Sequence, residues 1–477
     1  MKKKIFISLI SFILLFLIIF SFVSTNYQSN EKNKFYLRIV YILPDNVKSF
    51  IKKNIFVYDR IKDLEKKLVK SKEEHNSLVL NFEDLQRNGK IEKIYFKKIS
   101  SEKITLDNKE FKFNKFKTDF LITSKNINAR GTSYIDLYKN YLFLVSATGI
   151  TSAVDRTLIG SNDEFNLKTI KNNLNEMINY NEFFIDSKYG IKDVKIIEDN
   201  LYISYTNQLK RDCFNISILV AKIDLDILKF QKFYEPSECA LRKNNFTQFN
   251  PHHSGGRIEN FDDNNILLSI GDFKNFSYSQ NTETVFGKII LINKFNKNHQ
   301  IISTGLRNSQ GMYYDKKNNF IISTDHGPSG GDEINLQNIN DNKIYNFGWP
   351  VSSYGEHYGF KSQDEKNALY KIAPLHKSHV KYGFNEPIKH FTPGIGISQV
   401  VKFFDLDNNK FLIGSMGHDS AQGRMSLHLI ELSNSNKIIK HNSISVKGRV
   451  RDIVAKNNEN EFFLQIENGP ILGQIKF

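Results

Sequence analysis

Cysteine is nearly missing from this chain of 477 residues, which holds 2, together with 1 Trp and 9 Pro. Neither cysteine has a catalytic setting, and none lies near the N-terminal apolar run to take a lipid. Strong helical patterning is also scarce, which argues against a core built from helices. The charge is one-sided, with 66 Lys and Arg against 51 Asp and Glu for a net +15, yet basic clusters are few. Lysines are scattered among Asn and Ile, as in DKKNNF and INKFNKNHQ. That reads as a solvated surface and not as a stripe for nucleic acid. Glycine is limited to 26 residues, and several crowd into the single stretch Gly305 to Leu336. Aromatic residues are plentiful, at 13% with 39 Phe and 21 Tyr, and offset an apolar share of only 40%. Phe and Tyr suit half-buried strand positions.

The start, MKKKIFISLISFILLFLIIFSFVSTNYQSNEK, sets a basic cluster before an uncharged apolar run from Ile5 to about Val23. The run is close to the minimum for a membrane-spanning helix and long for a signal-peptide core, and no small-x-small cleavage site follows cleanly. Residues 1–25 are therefore either an uncleaved anchor or a cleaved signal, and both export the rest of the chain. With lysines before the span, the expected location is the inner membrane, single-pass, with a periplasmic C-terminal domain; the alternative is secretion to the periplasm. An oxidising compartment favours pairing of Cys213 with Cys239, which flank a hairpin-like segment. Two buried free thiols remain the other reading. Residues 26–109 read as a juxtamembrane helical stalk, since Tyr58 to Leu85 has Leu and Ile at helical spacing among mixed charges.

From about residue 110 to 477 the texture changes. Short β-branched and aromatic runs recur, among them YLFLVSATG, NLYISYT, ISILVAKID, NILLSIGD, KIILINK, NFIISTD, KFLIGSMG and FFLQIENG. Each is followed by Asn, Asp or Gly turn chemistry. Regular short strands over so long a stretch predict an all-β closed array, and a propeller keeps its strand edges short and protected.

Four segments carry candidate chemistry. GLRNSQGMYYDKKNNFIISTDHGPSGGDEINL reads as strand, tight polar loop, strand, with glycines that let backbone approach a ligand or metal. NPHHSGGRIENFDDNNILLSIGD sets two histidines before a glycine pair and Arg257. NFGWPVSSYGEHYG holds the only tryptophan, and VKGRVRDIVA places Arg449 and Arg451 two apart, hence on one face of a strand. Two guanidiniums on one face suit a polycarboxylate.

In this order the segments resemble the soluble glucose/sorbosone and aldose sugar dehydrogenase family. The likeness is strongest from Pro251 to Pro350 and extends weakly over 110–477. It implies a six-bladed β-propeller that uses pyrroloquinoline quinone (PQQ) and calcium. By position it implies that His253 is the catalytic base, in an HSGGR spacing with Ser254, Gly256 and Arg257. An imidazole suits proton abstraction from a sugar hydroxyl near neutrality. Arg307 and Asn308 are implied as quinone contacts, and Arg449 and Arg451 as partners of the cofactor's carboxylates. The alternative for the last two is a blade-closing salt bridge to acids such as Asp452. Gly327 and Pro328 are implied as carbonyl ligands of calcium. Glu333 and the Phe347 carbonyl are implied at a second, structural calcium, with Asp332 capping the turn.

The sequence also departs from the family. Where a lysine helps hold PQQ, this chain reads Gly417-His418-Asp419; the early glutamine contact is not evident; and GGNYGWP is altered to DNKIYNFGWP. The expected function is periplasmic oxidation of an aldose sugar or related polyol, with hydride transfer to the quinone and an electron acceptor that the sequence does not specify. The alternatives are a calcium-stabilised propeller that binds glycan or protein without catalysis, and a calcium-dependent hydrolase on the same architecture.

Overall fold

Runs such as NILLSI and KIILIN offer no polar face to water, so as strands they must be covered on both sides. In the computed structural model they are adjacent antiparallel strands, Asn265–Ile270 and Lys288–Asn293, with Leu267 opposite Leu291. The structure describes Pro44 and residues 57–476, apart from 119–130, 244–248, 360–361, 404–408, 418–422, 457–458 and 468. The chain divides into two units, Met1–Leu78 and Val79–Phe477. The second holds every described strand.

Those strands form five sheets. Four follow chain order, opening with Ile191–Ile197, Gly255–Asn260, Ser309–Asp315 and Ile397–Lys402. The fifth joins both ends of the unit. Its C-terminal strands Val450–Lys456, Glu461–Ile466 and Ile471–Lys476 continue onto Lys109–Lys117, with Lys112 opposite Lys476. From there Lys93–Leu106 leads to Glu164–Asn172 and back to Ser133–Tyr138. The six described strands that open these sets adjoin one another in closed order, from Ser133–Tyr138 round to Val450–Lys456 and back.

These inner strands carry polar residues because they are stitched to one another from the side. Asp136 Oδ2 accepts the Ile196 N–H at 2.6 Å, Asp193 Oδ2 that of Ile258 at 2.7 Å, and Asp452 Oδ2 that of Ile135 at 2.9 Å. Gln399 Oε1 accepts from Met312 at 3.2 Å. Arg257, 2% exposed, ties four inner strands together. Its Nη1 donates to Asp193 at 2.8 Å and Asp452 at 2.7 Å, its Nε to the Gln310 carbonyl at 2.6 Å, and its Nη2 to the Arg451 carbonyl at 2.8 Å. Buried carboxylates and a buried guanidinium persist here because each is paired and hydrogen-bonded.

The all-β expectation holds, with helix confined chiefly to Val57–Arg87 and Gln363–Ile372 among the described residues. Of the stalk expected over 26–109, the described residues are helical from Val57 to Arg87 and then turn to strand. Lys93–Leu106 and Lys109–Lys117 are a hairpin turned by Asp107 and Asn108, both at positive φ, and they extend the large sheet. The physical reason is alternation: in KITL and KEFKF apolar residues face inward and lysines outward. Cys213 and Cys239 form a disulfide, brought within 5.3 Å between Cα atoms because Leu241 pairs with Cys213 across the sheet.

The single-pass inner-membrane location is corrected. Among the described residues no helix is long and apolar enough to cross a membrane. The Val57–Arg87 helix carries charges along its length, and the run Ile5 to Val23 lies outside the described residues.

Candidate functional site

The segment Asn250-Pro251-His252-His253 is built to face one histidine inward. Asn250 caps a short 3₁₀ turn by accepting the His252 N–H at 3.0 Å, and proline occupies the first turn position. His252 is left exposed and His253 buried. Arg307 Nη2 approaches His253 Nε2 at 3.1 Å. A guanidinium can only donate, so Nε2 carries the lone pair and Nδ1 the proton. On the far side Asp272 Oδ1 lies 3.3 Å from Nδ1. Asp272 is itself held by the Trp349 indole N–H at 2.8 Å and the Lys274 amide at 2.6 Å. Burial, with the Arg307 charge second, lowers His253 to about 4, against the pull of Asp272. The imidazole is therefore neutral and oriented at neutral pH, as a base must be.

Arg307 and Asn308 are fixed through their backbone: both amides donate to Asp325, at 2.8 and 2.6 Å. The Arg307 Nη1 donates to the His326 carbonyl at 2.9 Å, and its guanidinium lies 5.4 Å from the Trp349 ring centre. Its buried Nε has no hydrogen-bond partner among the described residues. Asn308 Oδ1 accepts from Gly255 and from Gln310 Nε2, each at 3.0 Å, and Gln310 Oε1 accepts from Arg451 at 2.9 Å. A continuous line of contacts thus runs from His253 through Arg307, Asn308 and Gln310 to Arg451.

At the end of that line Arg449 and Arg451 share one acid, and it is Glu467 and not Asp452. Arg449 Nη2 meets Glu467 Oε1 at 2.8 Å, and Arg451 Nε meets Oε2 at 2.7 Å. Arg449 also donates to the Met416 carbonyl. Burial alone would raise a carboxyl with no exposed surface, yet Arg451 and Arg449 hold Glu467 down to about 2. Sequence reasoning missed Glu467. An acid closing the strand FFLQIE gives no sign that two arginines from the preceding strand will converge on it.

The Gly-rich loop follows His326. An ideal Cβ at Gly327 would sit 2.2 Å from the Gly331 carbonyl oxygen, so no other residue fits. Asp332 shapes the loop by accepting Gly327 N–H at 3.0 Å and the amides of Ile395 and Gly396 at 2.8 and 2.6 Å. No hydrogen bond among the described residues reaches the Gly327 or Pro328 carbonyls. Free carbonyl oxygens suit a hard cation. Glu333 and Gly348, the residue after Phe347, both border His379, a residue sequence reasoning did not single out: its Nε2 is 3.4 Å from Glu333, and a Cβ at Gly348 would touch its ring at 2.8 Å. Among the described residues no three His, Cys, Asp or Glu are placed together to hold a metal. His418 and Asp419 lie outside the described residues.

A buried cation was also missed. Lys192, in the inner strand Ile191–Ile197, lies near Arg451 and His252 at this same end of the ring.

A family model described as glucose/sorbosone dehydrogenase matches residues 147–472. The chain belongs to that family. It is 30% identical over 132 residues to aldose sugar dehydrogenase YliI of Escherichia coli, covering 25% of this chain and 34% of that protein. The chain spans 50% and 34% of the length of two curated relatives that it matches. The apo form of the soluble aldose sugar dehydrogenase of E. coli superposes with TM-score 0.56 at 16% identity, covering 76% of this chain and 99% of that one. The PQQ-bound form of aldose sugar dehydrogenase from Streptomyces coelicolor gives TM-score 0.50 at 15% identity, covering 75% and 96%. At such identities the likeness is one of fold, a β-propeller.

Proposed function

We propose that this chain is a six-bladed propeller acting as a PQQ- and calcium-dependent dehydrogenase of an aldose sugar or related polyol. The closed order of six inner strands supports the blade number. The observation that carries the activity is the Asp272–His253–Arg307 line, a neutral imidazole oriented by an acid and faced by a guanidinium. Once substrate displaces Arg307 Nη2 from its lone pair, His253 Nε2 takes the hydroxyl proton while Asp272 steadies the imidazolium that forms. Arg307 stabilises negative charge developing on a neighbouring oxygen. A bound quinone supplies the two-electron acceptor that no side chain here provides. Arg449, Arg451, Arg307 and Asn308 are the residues that would hold it, and the Gly327 and Pro328 carbonyls would hold calcium. Glu333 and the Phe347 carbonyl would serve a second calcium. The donor set suits a polyanion, because Arg449 and Arg451 bring two guanidiniums together around Glu467.

Glu467 also favours a second reading. It already answers both arginines, as a propeller that binds glycan or protein without PQQ would require. Titrating PQQ into the protein with calcium, followed by absorbance, separates the two. The dehydrogenase reading expects binding, dye reduction with aldoses, and loss of turnover but not of PQQ binding in His253→Ala. Absence of PQQ binding at high micromolar cofactor refutes it.

A further inference from the structure

Lys192 is only 8% exposed. Its Nζ donates to the Lys188 carbonyl at 2.7 Å and the Ser187 carbonyl at 3.0 Å. An ammonium has three hydrogens, so one has no bond among the described residues. No carboxylate pairs with it there either. Asp186, the acid that acts on it, is engaged by Lys188 at 3.1 Å, and the other charges around it, Arg451 and Lys188, are positive. The neighbouring His252 adds no negative charge.

The fold makes room for this amine on purpose of shape. The stem lies against Gly256, where a Cβ would fall 2.3 Å from Lys192 Cβ, and that glycine sits at φ +110°. A buried cation with no counter-ion is costly, so its setting is that of a group completed by an anion from outside the chain. Burial first, then Arg451, lower Lys192 to about 7.

Resting on the proposed PQQ reading, we infer that Lys192 receives a carboxylate of the bound ligand. It supplies from the second inner strand the amine that the sequence lacks around Gly417. Anion binding then draws a proton onto Lys192.

The test is calorimetric titration of PQQ, with calcium, into the full chain in two buffers of different ionisation enthalpy. At pH 8 a group of pKa about 7 is mostly neutral, so binding takes up close to one proton; at pH 5.5 it takes up almost none. Lys192→Met should lose the uptake and bind about ten- to a hundredfold more weakly, the scale of a charge-assisted bond. Lys192→Arg keeps a permanent charge and should bind without uptake, which covers the case in which the Met variant does not fold. Unchanged affinity and uptake in the Lys192 variants overturn the inference while the proposed function stands. No PQQ binding by the unaltered protein removes both.

Discussion

Replacing Glu467 by Gln changes one atom and removes the carboxylate that Arg449 and Arg451 share. The structure sets the size of the effect. The two guanidiniums hold the buried carboxyl at about 2, against an ordinary 4.5. At about 1.4 kcal/mol per pH unit, that depression corresponds to roughly 3 kcal/mol of stability. The value agrees with the ~3–5 kcal/mol typical of breaking a buried ion pair by removing one partner. The sign follows from the direction. A carboxyl whose folded value is depressed contributes fully above its unfolded value and loses the contribution as pH falls through the folded one. Urea unfolding of both proteins should therefore show a gap of about 3 kcal/mol at pH 7 that narrows below about pH 4.5 and closes near pH 2. Other carboxylates titrate in both proteins and cancel in the difference. A gap that is the same at pH 7 and pH 2.5, or under about 0.5 kcal/mol at pH 7, refutes the shared-acid argument.

Closing the loop between Cys213 and Cys239, 26 residues apart, should stabilise by about 3 kcal/mol on chain-entropy grounds. The double Ser variant should show that loss in urea, and alkylation of either thiol in the native, unreduced protein contradicts the bond. For the base, burial and Arg307 lower His253 to about 4 from an ordinary 6.5. The acidic limb of kcat in the PQQ-loaded protein should accordingly lie well below pH 6, and a limb centred near pH 6.5 refutes the buried geometry.

The strands easiest to read from the sequence are not the ones that build the site. NILLSI, KIILIN, FIISTD, KFLIGS and EFFLQI are all strands, and each is buried on both faces inside its sheet. The innermost strands read SYIDLY, IKDVKII, GGRIEN and VRDIVAK. Their acids and cations bond across to the next set of strands, so an apolar pattern never forms. The hairpin Lys93 to Lys117 was hidden for a related reason: its outer face is mostly lysine, which looked like a continuation of the charged helix before it. His253, Arg307 and Asn308 stand out in the sequence because their short motifs resemble the dehydrogenase family's, and the structure sets His253 beside Arg307. Glu467 does not, because nothing in FFLQIE marks the neighbouring-strand arginines that converge on it, and Lys192 does not, because its surroundings come from distant parts of the chain. Lys192 in IKDVKII looks like the polar side of an ordinary strand until Gly256 and Arg451 are placed beside it.

The pairing of Lys109–Lys117 with Ile471–Lys476 also sets an order of events during synthesis. Lys109–Lys117 leaves the ribosome long before Ile471–Lys476, the neighbour that covers its edge. Until then Phe111, Phe113 and Phe116, all buried in the finished protein, have no complete surface to settle on. Long-range pairing of this kind is slow, and an open strand edge invites association with other chains. The nascent chain is thus exposed to aggregation until Ile471–Lys476 is in place, and deleting that strand should trap it in that condition.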